Sequence, residues 1–426
     1  MAGGEAGAGR RVFVRIPGSS VEERQRRKIG MKTAVTYSAK GYGRSEILLV
    51  WLEFKKLFMP KRVALALLVL LIGGVWLYPF RVLYPGERFK DWDTVIAVQM
   101  EAKYGLQIDE AEFEQFKQSL IPKMAEADAY IRSTPAFARV NLDRYDRYVK
   151  RSGMTNGGTL PLDRIIDAGP ARDLFAELQA SLHWIAYYEN RTINTFGLNE
   201  AGKKRAADIQ SRDWVSVLPP NFINGYNSMN LLNRLALTAM LLTSLLVMPI
   251  HIGDRRAGLG EIQATSRAGT KGVFRLKTAA ALLTGTWVAA VLLVVLMLAY
   301  RFSGMWSLMG ADINGLGRIF WSDLSFMQYI GVTYAAVLML CWLAALLTVF
   351  FSSIAPNYFV LAGVVALTLI LFFESDYLLN PMLNHILSMG LGRYPFQTFT
   401  ELSVLLLAAA GLTYIARKRE MRRERW

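Results

Sequence analysis

The chain has 426 residues, 53% of them hydrophobic, with a net charge of +15 at pH 7, a mean hydropathy of +0.25 and a single cysteine. Its apolar residues gather into long uncharged runs, which is a membrane composition. Cys341 alone excludes a disulfide within the chain, and the three histidines, His183, His251 and His385, lack the spacing of a zinc site.

Residues 1–45, with scattered glycines and the basic patch Arg24-Gln25-Arg26-Arg27-Lys28, show no sustained period. They are expected to form a disordered cytoplasmic segment, unless Met31 is the native start and the residues before it are not native. Over 46–62, Ile47, Leu48, Trp51, Phe54, Leu57 and Phe58 fall on one helical face with Lys55 and Lys56 opposite. This fits an amphipathic helix in the headgroup plane, with Trp51, Phe54, Lys55, Lys56 and Phe58 as its membrane contacts. It fits a plain extension of the first span equally well.

A bilayer core about 30 Å thick takes roughly 20 helical residues. Six runs qualify, at 63–82, 231–252, 278–300, 326–351, 357–374 and 399–416, and Pro356-Asn357 divides the fourth from the fifth as a tight hairpin. The apolar part of the sixth is short, so its helix either starts earlier, near Tyr394, or sits in a thinned or tilted setting.

Orientation follows the lysines and arginines. Residues 1–62 carry 14 Lys+Arg against 5 Asp+Glu, residues 251–277 carry 6 against 2, and residues 417–426 carry 6 against 2. Residues 83–230 are close to neutral, with 18 against 20. Positive flanks stay inside, so both termini are expected in the cytoplasm and the large loop outside. The positive charge is thus a topology signal, and no nucleic-acid partner is expected. The fold class is an all-α membrane protein: six transmembrane helices with a mainly helical extracytoplasmic domain between the first two.

Within that domain Asp109 and Glu112 spell a capping box, followed at helical spacing by Phe113, Phe116, Leu120, Met124 and Ile131. A second helix is expected to start around Pro170 and to present Leu174, Phe175, Leu178, Leu182 and Ile185. Pro219-Pro220 ends the domain, and no strand pattern stands out. Residues 197–204 nearly spell a phosphate-binding loop, but Lys204 occupies the place of the magnesium-binding Ser or Thr. A polar turn opening a short basic helix is the expected structure.

The cores of the six runs hold no charged residue, which disfavours an ion-coupled carrier. The most informative segment is 253–277. An acidic-basic cluster, Asp254-Arg255-Arg256, precedes Gly258-Leu259 and a short helix around 259–264 with Glu261. A turn through Arg267, Gly269, Thr270 and Lys271 then leads to Lys277 at the start of the third span. It makes a compact foot below the bilayer.

This segment resembles the coupling loop of type-2 ATP-binding-cassette permeases, with an aspartate where glutamate is commoner and no proline in the turn. The amphipathic stretch before the first span and the large domain after it resemble the A-subfamily exporters. The resemblance implies a transport subunit without catalytic residues of its own, with ATP and magnesium held by a separate ATPase subunit that docks on Asp254–Lys277. It also implies a second permease copy or a homologous permease, contact with membrane lipid, and outward transport across the plasma membrane of a bacterial cell. Short outer helices dipping into the membrane would fall within 375–398, with Glu374, Asp376, Pro381 and Pro395 as a candidate outer gate, while 301–325 is a plain outer loop. The rival reading is a membrane sensor or assembly protein with a ligand-binding outer domain, disfavoured by the lack of an inner output domain.

Overall fold

The computed structural model describes residues 46–76, 92–154, 160–191, 193, 195–218, 231–265, 269–314, 319–374, 383, 386–389 and 394–423. The chain divides into two units, residues 1–53 and 54–426. In the first, 46–53 are helical, with Ile47, Leu48 and Trp51 exposed. In the second, 54–57 are helical, Phe54 and Leu57 are buried, and Lys55 and Lys56 are exposed. The apolar face expected over 47–58 is therefore divided: Phe54, Leu57 and the half-buried Phe58 pack inward, Phe58 lying edge-on to Trp287 at 4.9 Å.

The remaining elements follow in chain order. Helix α1 is Pro60–Trp76, and α2 is Trp92–Tyr104. Strand β1, Gln107–Asp109, runs into α3, Glu110–Ser133, and α4 is Pro135–Ala138. Then come α5 Tyr145–Met154, α6 Leu160–Ala168, α7 Arg172–Glu189, α8 Glu200–Gln210 and strand β2 Trp214–Ser216. The bundle follows: α9 Leu231–Val247, α10 Pro249–Arg256, α11 Gly260–Thr265 and α12 Gly269–Phe302. After a 3-10 turn at Met305–Gly310 come α13 Phe326–Ile354, α14 Tyr358–Glu374 and α15 Gln397–Arg423.

The sequence signals at Asp109 and Pro356 act as expected. The Asp109 carboxylate accepts the Glu112 N–H at 2.8 Å while Glu112 accepts the Asp109 N–H at 3.1 Å. Ile354 ends α13 before Pro356, and Asn357 caps α14 by accepting the Val360 N–H at 2.9 Å. Other boundaries differ. Pro170 precedes α7 by two residues instead of opening it, and β1 pairs antiparallel with β2, a ribbon of three residues a side joining segments about a hundred residues apart. Among the described residues this ribbon is the sole sheet.

The third span is longer at its start than the apolar run. Residues 269–277 read as a turn and a basic re-entry, yet they form the first turns of α12. Gly272 costs about 1 kcal/mol as a helix residue, and burial of Phe274 and of the Lys277 stem opposes that cost. The second span is interrupted instead. Pro249 has no N–H to continue α9, so the helix stops at Val247 and restarts with Pro249 at its first position. The helix expected over 399–416 starts at Gln397 and continues through basic residues to Arg423.

Helices α9 and α13 are the most buried of the bundle; α13 packs against α9, α12, α14 and α15. At Gly285 of α12 a Cβ would lie 3.1 Å from the Cys341 carbonyl oxygen, so a larger residue would push α12 and α13 apart by a few tenths of an ångström. The hydroxyls of Thr238, Thr284 and Thr333 donate to carbonyls of their own helices. A crossing bond does occur where Trp342 Nε1–H donates to Thr286 at 2.9 Å.

Residues 92–218 have two cores. Phe137, Tyr145, Ile166, Phe175 and Leu178 close one among α3 to α7. Ile96, Met100, Ile108, Phe113 and Trp184 belong to the other, which is continuous with Met305, Phe320 and the bundle. The near half of this domain is therefore built onto the bundle.

Candidate functional site

The two polar clusters of the bundle sit at opposite ends of α12 and α13. The first centres on α10. Successive helical residues point about 100° apart, so Asp254, Arg255 and Arg256 reach three different neighbours. The Asp254 carboxylate accepts from Lys277 Nζ of α12 and from Gln263 Nε2 of α11, each at 2.6 Å. The Lys277 side chain is 3% exposed and that of Asp254 17%. Arg255 donates to the carbonyls of Ser352 at 2.5 Å, Ala355 at 2.7 Å and Ser353 at 3.2 Å. These are groups that the end of α13 leaves without helical donors, and a cation there also complements the helix dipole. The Arg256 guanidinium lies 4.6 Å from the centre of the Tyr358 ring, the first residue of α14.

Ser352 also repairs the break at Pro249. Its hydroxyl donates to the Met248 carbonyl at 3.1 Å and accepts the His251 N–H at 3.2 Å. The His251 ring stacks at a tilt on Phe274, 4.9 Å between centroids. Three adjacent residues thus tie the ends of α12, α13 and α14 to α10.

The short helix α11 hangs from this junction between two residues of positive φ, Gly258 at 66° and Gly269 at 59°. A side chain at either would be strained, so glycine is what lets the chain turn in and out of the foot. Leu259 is half-buried, and its carbonyl accepts the Gln263 N–H at 2.9 Å. Ile262, which the sequence did not single out, is 66% exposed. Glu261 lies on α11 and Lys271 is exposed in the first turn of α12, while Arg267 lies outside the described residues.

Of the four residues named for an outer gate, two lie within the described residues. Glu374 ends α14, Pro395 is half-buried in a turn before α15, and Asp376 and Pro381 lie outside the described residues. Residues 197–204 form a capped helix start: Asn199 Oδ1 accepts the Gly202 N–H at 2.8 Å and Lys203 pairs with Glu200 at 2.8 Å. His183 is exposed and His385 lies outside the described residues, which contain no group of three His, Cys, Asp or Glu able to hold a metal.

The second cluster was not legible in the sequence. Arg205 and Arg212, on and just after α8, both donate to Asp323 Oδ1, Arg212 at 2.9 Å, and both also pair with Asp208. Asn314 Nδ2 adds a third donor to Asp323 at 2.9 Å, and its Oδ1 accepts the Phe320 N–H at 2.8 Å. This latch ties the 92–218 domain to the segment between α12 and α13, beside a cleft of about 540 Å³ lined by Tyr104, Gln107, Asp312 and Asp323. Partial burial acts to raise the Asp323 pKa, but the two guanidiniums outweigh it and hold it below the usual value. Burial raises that of Asp312.

Four helices, Leu231–Arg256, Gly269–Phe302, Phe326–Ile354 and Gln397–Arg422, are long and apolar enough to cross a membrane, and Tyr358–Phe372 is apolar but shorter. The chain is a helical membrane protein. No family model, no curated protein and no solved structure matches it.

Proposed function

We propose that the chain is the membrane-spanning permease subunit of an ATP-binding-cassette exporter in a bacterial plasma membrane, driven by ATP that a separate subunit hydrolyses. In this reading α1 and α14 also cross, giving six spans with both termini in the cytoplasm. The 17 apolar-rich residues of each suit a crossing extended at its ends or locally thinned. Two such permeases, identical or related, enclose the path.

The observation that carries the reading is the Asp254 junction with its foot. A short helix projects an apolar residue, Ile262, from a point where one arginine, one carboxylate and one lysine bind the ends of three spans. Force applied to α11 by a moving ATPase would reach α12 through Gln263, Asp254 and Lys277, and α13 through Arg255. The chain's own near-match to a nucleotide loop is a helix cap, which supports an external energy source.

The test is co-purification, and stimulation of ATP hydrolysis, with the ATPase encoded beside this chain, at equal membrane expression. Ile262→Asp is expected to abolish both, and Leu259→Asp to weaken both through the foot's own packing. Unchanged binding with Ile262→Asp would reduce the segment to a topological connector.

A further inference from the structure

Between α12, α13 and α15 lies a cleft of about 450 Å³. Its body is apolar, with Phe274 and Leu282 from α12 and Leu346 from α13, and Tyr414 of α15 beside them. Arg275 and Arg417 line the same cleft. Arg275 lies in the first turns of α12, and Arg417 stands where the apolar run of α15 gives way to Arg417-Lys418-Arg419. Neither forms an ion pair or a side-chain hydrogen bond among the described residues, and Arg417 Nε is buried without a partner. Leaving a guanidinium donor dry and unpaired is costly, so Arg417 Nε–H favours an acceptor within the cleft.

We propose that this cleft is a binding site for an anionic phospholipid. Its phosphodiester would accept from Arg275 and Arg417, and an acyl chain would lie on Leu282 and Leu346. The choice of ligand follows from the division of the cleft. Two cations at one end call for a phosphate, and the fork of arginine suits its oxygens. The apolar remainder, on the flank of membrane-crossing helices, calls for hydrocarbon, which a free phosphate would not supply. The basic end of a helix bundle is also where anionic headgroups collect. The inference rests on the membrane character of the chain and not on the transporter reading.

The test uses the full chain in detergent micelles, with phosphatidylglycerol, phosphatidylcholine or inorganic phosphate added, and bound lipid read by native mass spectrometry. The chain is expected to retain phosphatidylglycerol over phosphatidylcholine and to keep it when phosphate is added. Arg275→Gln with Arg417→Gln should weaken retention at least about tenfold, since each basic contact contributes on the order of 1 kcal/mol. Arg419→Gln with Arg422→Gln removes the same charge outside the cleft and should leave retention within about twofold. Arg275→Lys with Arg417→Lys should restore part of it, separating binding from misfolding. Equal loss with the 419/422 pair would show general electrostatic attraction, and displacement by inorganic phosphate would show a free-anion site. A change from dimer to monomer in the Gln pair, with lipid retention unchanged, would assign the cleft to a second copy. Each of these three results overturns the proposal.

Discussion

The Asp254 junction and the Asp323 latch are built from the same side chains, carboxylate against Lys or Arg, at opposite ends of α12 and α13. Their surroundings differ. Lys277 is 3% exposed and Asp254 17%, whereas the latch sets half-exposed carboxylates, Asp323 at 47% and Asp208 at 58%, against guanidiniums at 18% and 17%. A buried pair costs much to desolvate and more to break, because removing one partner strands the other charge; a wet pair is screened and replaced by water. The junction is therefore a rigid connection between helix ends, and the latch a separable one between a domain and the bundle.

The sharpest test of that contrast is Lys277→Met, expected to cost about 3–5 kcal/mol because Asp254 is left buried without its cation. Adding Asp254→Asn should recover much of this loss, and the unfolding midpoints of the singles and the double give the coupling. Additive losses would mean that the pair is not coupled. Asp109→Ala, a helix cap outside the ion pairs of both clusters, sets an internal scale: loss of its capping box is expected to cost about 1 kcal/mol. Asp323→Asn should cost no more than that, about 0.2–1 kcal/mol for a pair whose carboxylate is open to water. Since Asp323 titrates below its unfolded value of about 4, its contribution is present above that pH and fades as pH falls through the folded value. The gap in stability between the chain and Asp323→Asn should thus close on acidification from pH 6 to 3. A gap that persists would mean that the latch acts through packing.

The two clusters also differ in how far the sequence revealed them. Asp254, Arg255 and Lys277 stood out because charges at the ends of apolar runs are few. Their partners did not: Ser352 and Ser353 read as the end of a helix, and the carbonyls that bind Arg255 carry no residue signature. Pro249 was read through because its neighbours are apolar, and Gly269–Lys277 was read as a turn because the tertiary burial of Phe274 and Lys277 that supports it as helix is invisible locally. The latch joins Arg205 and Arg212 to a residue more than a hundred positions away, as β1 joins β2, and such pairings leave no local period. Signals that act within four residues, such as the capping box at Asp109 and the break at Pro356, were legible in full.

Under the proposed function the two clusters lie on opposite sides of the bilayer, with the foot facing the compartment that holds ATP. Single cysteines at Asp146, Ile262 and Arg422 in a Cys341→Ala background, exposed in intact cells to a membrane-impermeant thiol reagent, test this directly. Labelling from outside is expected at position 146 alone, with 262 and 422 reacting only after the membrane is opened. Outside labelling at 262 would contradict the account, because a foot on that face could not meet a cytoplasmic ATPase.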